Sequence, residues 1–232
     1  MKYDVIVIGG GLSAISCGIA LATNGKNVAL MVKGQSKLNF SSGSIDLLGF
    51  DEQGNEVVSP IEAIASLGAS HPYSKMGVEN VAHNAAMVPV ILSGAGLDFY
   101  GDSSRNHYRM TPMGLLRPAW LTLDDYVTTD EPNSLPWRKA ALVNIHGFLD
   151  FSADFIAAAM TRLGCECQMC DVKLGTIDKL SGNPTVMRST AVAKLMQNDG
   201  VLNDLARKVR SNVGDAEVVV LPAVFGLDGD DT

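Results

Sequence analysis

The chain has 232 residues, of which 47% are apolar and 19% are charged, and 23 are glycine. This composition excludes an intrinsically disordered chain, a coiled coil and a collagen-like repeat. The formal net charge is −7 and no cluster of lysine and arginine is present, which argues against a surface for binding nucleic acid.

The chain opens on a predicted βαβ unit. Residues 3–8 form a β-branched run without a polar break, which is typical of a strand buried on both faces. Residues 12–24 are mostly apolar or small and predict a tightly packed helix, with Gly25 as its C-terminal cap. Residues 27–32 predict a second strand. The unit therefore implies two parallel strands joined by a right-handed crossover.

The apolar residues 5–22 could also be taken for the core of a signal peptide. Asp4, however, stands where a basic segment would be expected, and three glycines, 9–11, interrupt the stretch. No run reaches the roughly 20 apolar residues that cross a bilayer. The four cysteines do not resemble a secreted disulfide framework either. We therefore expect a reducing, cytoplasmic setting.

The turn between the first strand and the helix has the Gly-x-Gly-x-x-Ala pattern of a dinucleotide-binding fingerprint. Gly9 permits the tight turn, Gly11 lets a phosphate approach the backbone, and Ala14 with Gly18 lets the helix lie close to the sheet. Free N–H groups of the first helical turn would then face the phosphate. A glycine-rich turn without a ligand is the alternative. The predicted cofactor-binding residues of this turn are Gly9, Gly11, Leu12, Ser13 and Ala14.

The second predicted strand lacks the acidic residue that usually follows such a turn. A carboxylate about 20 residues on would hydrogen-bond a ribose diol, but Lys33 and Gly34 stand there instead. A lysine cannot accept hydrogen bonds from a diol. This argues against ordinary NAD recognition. It leaves NADP, whose 2′-phosphate Lys33 would meet, or a flavin held in another way.

A loop of small polar residues follows the second strand. Its hydroxyls and backbone N–H groups suit a phosphate or the polar edge of a flavin ring, and an ordinary turn is the alternative. The predicted cofactor-binding residues of this loop are Ser41, Ser42, Gly43 and Ser44.

The length predicts one large domain or one and a half, at roughly 100–200 residues per domain. We assign residues 1–130 to a partial flavin-binding region, 131–136 to a linker containing Pro132 and Pro136, and 137–232 to a second α/β domain of substrate or cap type. Further elements are predicted as helices over 60–67, 78–92 (kinked or ended by Pro89), 152–163, 184–196 and 200–209, and as strands over 140–145, 165–174 and 216–221.

Arginine is the strongest candidate for contact with a substrate. Arg117, with Arg109 nearby, could bind a phosphomonoester through a bidentate fork, and a structural ion pair is the alternative. No catalytic residue is predicted. The four histidines, His71, His83, His107 and His146, lack an acidic partner in any motif, so structural or solvent roles are favoured for them.

Three cysteines lie close together, at positions 165, 167 and 170. In a strand the first two share a face and the third lies on the other. Since closed zinc sites and iron–sulfur clusters take four protein ligands, we predict no metal site and expect cysteines that pack as small apolar residues.

Several segments resemble known flavoproteins. Residues 4–12, DVIVIGGGL, resemble the opening of the glutathione-reductase-like superfamily. More narrowly, blocks in order along nearly the whole chain resemble the B subunits of anaerobic glycerol-3-phosphate dehydrogenases. These blocks are 34–36 with 40–48, 71–74, 111–117 with Trp120, 147–151 and 221–227.

The resemblance implies an α/β, Rossmann-type FAD/NAD(P)-binding fold and an oxidoreductase role within a complex. That complex oxidises sn-glycerol 3-phosphate to dihydroxyacetone phosphate and passes electrons to a quinone in anaerobic respiration. It consists of the FAD-containing A subunit, the FMN-associated B subunit, and the iron–sulfur C subunit, which is the membrane anchor. FMN, with FAD as the alternative, is the expected cofactor here, and the complex would lie at the inner face of the cell membrane.

Members of this family are nearly twice as long, and their second half adds strands to the first domain. We therefore expect a C-terminal truncation and an incomplete flavin domain. Two other functions stay open: an NADP-dependent reductase that uses Lys33, and a structural or electron-relay subunit without flavin.

Overall fold

The computed structural model describes residues 2–34, 42–175 and 189–224. The chain forms two compact units, Met1–Ser44 and Ile45–Thr232.

The amino-terminal unit is the predicted βαβ. Strands β1 (Val5–Ile8) and β2 (Val28–Met31) pair in parallel, and helix α1 (Leu12–Thr23) connects them. The Asp4 carboxylate accepts a hydrogen bond from the Asn27 N–H at 2.9 Å, which aligns the starts of the two strands. Gly25, at φ +76°, ends the helix as predicted.

The predicted burial of this unit is wrong within the described residues. Ile6 is 57% exposed, Ile8 is 83% exposed, and no residue of α1 is buried. The cause is the size of the sheet, since two strands and one helix cannot cover both faces of β1.

Three helices open the second unit: α2 (Pro60–Ile64), α3 (Pro72–Met76) and α4 (Val78–Gly94). Pro60 occupies the first helical turn as predicted. Pro89 does not end α4, which continues for five more residues to Gly94. Helices tolerate an internal proline when packing holds the surrounding turns, and Ala85 and Val81 of α4 are buried.

Two small sheets accompany these helices. One has the order β3–β7–β4 and the other β6–β5–β8, and the β5–β6 and β5–β8 pairs are antiparallel. Their strands are β3 (Ser44–Ile45), β4 (Phe99–Tyr100), β5 (His107–Met110), β6 (Leu116–Ala119), β7 (Leu121–Leu123) and β8 (Thr128–Thr129). Trp120 and Leu121 pack with Ala85 of α4 in one buried cluster.

The rest of the unit is a three-layer α/β structure. Its parallel sheet has the order β10–β9–β11. The strands are β9 (Lys139–Ile145), β10 (Glu166–Val172) and β11 (Val218–Val220), and the helices are α5 (Ala153–Arg162), α6 (Ser189–Met196) and α7 (Asp199–Arg210). Helix α5 packs on one face, through Ile156 and Met160, and α6 and α7 pack on the other, through Val192 and Val201. The second α/β pattern is thus confirmed for the described residues. Residues 184–188 of the predicted helix lie outside them.

The predicted linker, 131–136, does not separate two units. The division falls after Ser44, and Leu135 is buried in the same cluster as Leu142 and Met160. Met110 and Leu116 of the β5–β6 pair also pack on this cluster. Apolar side chains on both sides of 131–136 therefore share one core, in spite of the two prolines.

Candidate functional site

The turn after β1 depends on a glycine at its first position. Gly9 adopts φ +130°, a conformation that side chains other than glycine rarely adopt. A Cβ at this position would lie 3.4 Å from the Ala14 Cβ, so the turn and the first turn of α1 are in contact. Gly9 and Ala14 thus approach each other closely, and their assignment to cofactor binding stays a prediction.

Gly11 leaves the amino end of α1 open. A Cβ built on Gly11 would meet nothing within 4 Å. Among the described residues of α1, the first backbone N–H group that donates a hydrogen bond to an earlier carbonyl is that of Ile15. Its acceptor is the Gly11 carbonyl oxygen, at 3.0 Å. The N–H groups of Leu12, Ser13 and Ala14 precede that of Ile15 and have no intrahelical acceptor. With no acidic side chain in this first turn, the helix end favours an anion.

Gly10 has a role that the sequence analysis missed. A Cβ there would stand 2.6 Å from Cγ1 of Val32, so only glycine lets the turn pack against the end of β2. The expected role of Gly18 is wrong for the described residues, because a Cβ at Gly18 meets nothing within 4 Å. Ala14 is the helical residue that lies close to the turn, with its Cβ 3.4 Å from a Cβ built on Gly9.

The polar loop is only partly described. Ser41 lies outside the described residues. The hydroxyls of Ser42 and Ser44 are 3.1 Å apart, and the buried Gly43 between them adopts φ +69°. Lys33 is exposed just beyond β2. The assignment of these residues to cofactor binding stays a prediction.

Arg109 and Arg117 lie directly opposite each other on β5 and β6. The Arg109 Nε atom is buried without a hydrogen bond. The Arg117 guanidinium carbon lies 5.6 Å from the centre of the Phe50 ring. The structural ion pair that was the alternative for Arg117 is not found among the described residues, whose ion pairs involve Lys139, Arg207 and Lys208.

His107 is the one buried histidine of the described ranges, at 2% exposure. Its Nε2 lies 2.7 Å from the Thr122 hydroxyl, and the Tyr100 ring packs edge-on against it. Burial lowers the pKa of His107, and the Asp130 charge partly opposes that effect. The side chain is therefore neutral and structural near pH 7.

The other histidines also match the expected structural or solvent roles. His71 caps α3, where its Nδ1 accepts a hydrogen bond from the Tyr73 N–H at 3.1 Å. His83, on α4, and His146, just after β9, are exposed.

The cysteines lie on both faces of β10. Cys165 and Cys167 contact the α5 side, while Cys170 belongs to the cluster on the α6 and α7 side, which confirms the predicted alternation. Burial raises the pKa of Cys167 to about 11, so its thiol stays protonated at neutral pH. No group of three or more metal-binding side chains occurs in the described parts of the chain.

An open groove lies at the edge of the parallel sheet, lined by His146, Asp171, Lys173, Lys208 and Asn212. Two of its charged side chains already have partners within the protein. Lys208 pairs with Asp204 at 2.9 Å, and Asp171 accepts a hydrogen bond from Asn144 at 2.7 Å. The groove therefore offers less free charge to an anion than the arginine pair does.

The sequence matches the FAD binding domain family over residues 4–230. It is 40% identical over 232 residues to the B subunit of anaerobic glycerol-3-phosphate dehydrogenase from Yersinia enterocolitica. The proteins of the same name from Yersinia pestis and Pectobacterium carotovorum are 38% and 36% identical. No solved structure matches the chain. The Rossmann-type α/β fold class and the resemblance to these B subunits are confirmed.

These alignments include 98% of this chain but only 55% of each relative. The chain thus spans about half the length of the curated relatives it matches. None of the helices in the described ranges combines the length and the apolar character that crossing a membrane requires.

Proposed function

Because this chain belongs to the FAD-binding domain family, we propose that it is a flavin-binding subunit of a glycerol-3-phosphate dehydrogenase complex. The single observation that carries the proposal is the open helix end at Gly11, where a Cβ would meet no neighbouring atom. The names of the relatives support the choice of substrate.

The residues of the turn fit a flavin phosphate. Gly11 leaves room for the phosphate oxygens, and the N–H groups of Leu12, Ser13 and Ala14 would donate to them. Gly9 and Gly10 hold the turn against α1 and the end of β2. When bound, a flavin takes up two electrons as a hydride and can release them one at a time. The part of this chain is to bind and orient it.

FMN is the flavin that we propose, with FAD as the alternative. Val32, Lys33 and Gly34 follow β2, so no carboxylate stands there to bind an adenosine ribose. FMN has no adenosine and needs no such contact. The family match is to FAD-binding domains, which makes the identity of the flavin a question for direct measurement.

We further propose that the chain works with two partners. One is the FAD-containing A subunit, and the other is the iron–sulfur C subunit, which anchors the complex at the inner face of the membrane. In this assembly sn-glycerol 3-phosphate is oxidised to dihydroxyacetone phosphate on the FAD-containing partner, and a quinone receives the two electrons. This chain relays electrons between the partners or completes the assembly of the complex.

The proposal is tested by the absorption spectrum of the purified chain, followed by mass spectrometry of any cofactor released on denaturation. We expect a flavin band near about 450 nm and the mass of FMN. Release of FAD would keep the flavin function and overturn the choice of FMN.

A colourless protein that takes up no added FMN or FAD would contradict the flavin function. Tight binding of NADPH by such a protein would favour the reductase alternative. A stable complex with partner proteins but no flavin would favour the structural alternative.

A further inference from the structure

Two arginines and a threonine lie in one row across the β6–β5–β8 sheet. The register places Arg117 opposite Arg109, and Arg109 opposite Thr128. Residues directly opposite in antiparallel strands point to the same face. The side chains of Arg117, Arg109 and Thr128 therefore leave the same face of the sheet from neighbouring positions.

This arrangement carries an unbalanced charge. Like charges directly opposite each other destabilise a sheet unless something neutralises them. Within the described ranges neither Arg109 nor Arg117 forms an ion pair. The Arg109 Nε atom is also buried without a hydrogen bond, so it is a donor that a bound anion could satisfy.

Arg117 is more exposed to solvent than Arg109, so a ligand would reach Arg117 first. Arg117 is exposed, and its guanidinium lies over the Phe50 ring at 5.6 Å, which limits its orientations. Arg109 is only partly exposed and lies between Arg117 and Thr128 in the row. An anion would thus enter past Arg117 and meet Arg109, where less water screens its charge.

We propose that Arg109, Arg117 and Thr128 bind the phosphate of a phosphomonoester. A phosphate dianion offers several acceptor oxygens, and each arginine presents a planar fork of N–H donors that matches two of them. The Thr128 hydroxyl would donate to another oxygen. The choice of sn-glycerol 3-phosphate as the probe rests on the function proposed above, in which the partner subunit oxidises this compound, whereas the phosphate site itself rests on this sheet alone.

The same phosphate chemistry could come from the substrate or from FMN. The test therefore titrates the purified chain by calorimetry with sn-glycerol 3-phosphate, with glycerol and, separately, with FMN and riboflavin. Arg117→Gln is the first variant, because its side chain is exposed and its loss should not affect folding. Arg109→Gln and Thr128→Val follow. Arg210→Gln, which removes one exposed positive charge from α7 of the same unit, is the matched control.

We expect sn-glycerol 3-phosphate to bind and glycerol not to bind. Arg117→Gln and Arg109→Gln should each weaken the binding by about tenfold or more, which corresponds to about 1.4 kcal/mol. Thr128→Val should weaken it less, and Arg210→Gln should leave it unchanged. Circular dichroism checks that each variant is folded.

Three results would overturn the proposal. These are no binding of sn-glycerol 3-phosphate by the wild type, unchanged binding by a folded Arg117→Gln variant, and an equal loss in Arg210→Gln. A loss of FMN affinity with unchanged sn-glycerol 3-phosphate affinity would assign the site to the flavin instead of the substrate. Flavin content is measured in the same samples. A colourless chain that takes up no added FMN or FAD but binds sn-glycerol 3-phosphate would thus contradict the flavin function and support this site.

Discussion

Gly101 is held where the backbone leaves no room for a side chain. It adopts φ +111°, and a Cβ there would stand 2.2 Å from the Trp120 carbonyl oxygen and 2.9 Å from Cε1 of His107. Both neighbours are buried and cannot move freely. The absence of a side chain at Gly101 therefore lets the His107 ring occupy its buried position.

We expect Gly101→Ala to lower the free energy of unfolding by about 3 kcal/mol, because the clash adds to the strain of a positive φ. Urea denaturation measures the change. Gly54→Ala is the control, since Gly54 has φ +87° but no atom within 4 Å of a built Cβ. That variant should lose only about 1–2 kcal/mol. Equal losses in the two variants would contradict the role of the clash.

His107 should make stability depend on pH. Burial keeps its folded pKa below the ordinary value of 6.5, so the unfolded chain binds a proton more readily. The contribution of neutral His107 to the free energy of unfolding is therefore complete above about pH 6.5. It decreases as the pH falls below 6.5. We expect His107→Gln, which retains a partner for Thr122, to reduce the loss of stability between about pH 7.5 and 5.5. Urea midpoints at the two pH values measure this.

The matched control for that variant is His83→Gln, which changes an exposed histidine on α4. It should keep the pH dependence of the wild type. If His107→Gln lost stability on acidification as steeply as the wild type and His83→Gln, the account of His107 would be wrong.

Helix α7 depends on its first residues. The Asn198 side chain accepts hydrogen bonds from the N–H groups of Gly200 at 2.9 Å and Val201 at 3.2 Å. The side chain thus supplies acceptors in the first turn, where the Val201 N–H also donates to the Asn198 carbonyl at 2.9 Å. Val201 and Leu205 of the same helix are buried against the parallel sheet, so the cap also fixes part of the core.

We expect Asn198→Ala to reduce the free energy of unfolding by about 1 kcal/mol. Asn198→Asp should retain most of the stabilisation that the cap provides. Asn203→Ala is the matched control, because Asn203 is exposed in the middle of α7 and alanine favours a helix. Thermal unfolding distinguishes them. A loss in Asn203→Ala as large as that in Asn198→Ala would contradict the role of the cap.

Local sequence patterns predicted the helices and strands better than they predicted the burial and pairing of those elements. The apolar runs and glycines of β1, α1 and β2 were sufficient to predict the βαβ unit, because turn chemistry and periodicity are local. The exposure of Ile8 was not predictable, since it depends on how many strands share the sheet. Likewise the arginine pair required the register of β5 and β6, which an isolated motif around Arg117 does not contain.

At the scale of the whole molecule, the two units carry different parts of the proposed chemistry. Met1–Ser44 holds the turn proposed to bind a flavin phosphate, and Ile45–Thr232 holds the arginine row proposed to bind a phosphomonoester. The central claim concerns the first of these. It states that an anionic group of the flavin rests on the bare backbone at Gly11.

The most direct test is the affinity for FMN of two alanine variants that differ only in position. Neither Gly11 nor Gly18 has an atom within 4 Å of a built Cβ, so both variants should fold. Gly11→Ala places a methyl group where the phosphate would lie, and we expect FMN to bind about tenfold or more weakly. Gly18→Ala should bind FMN as the wild type does. Equal FMN affinity in Gly11→Ala and the wild type would contradict the account.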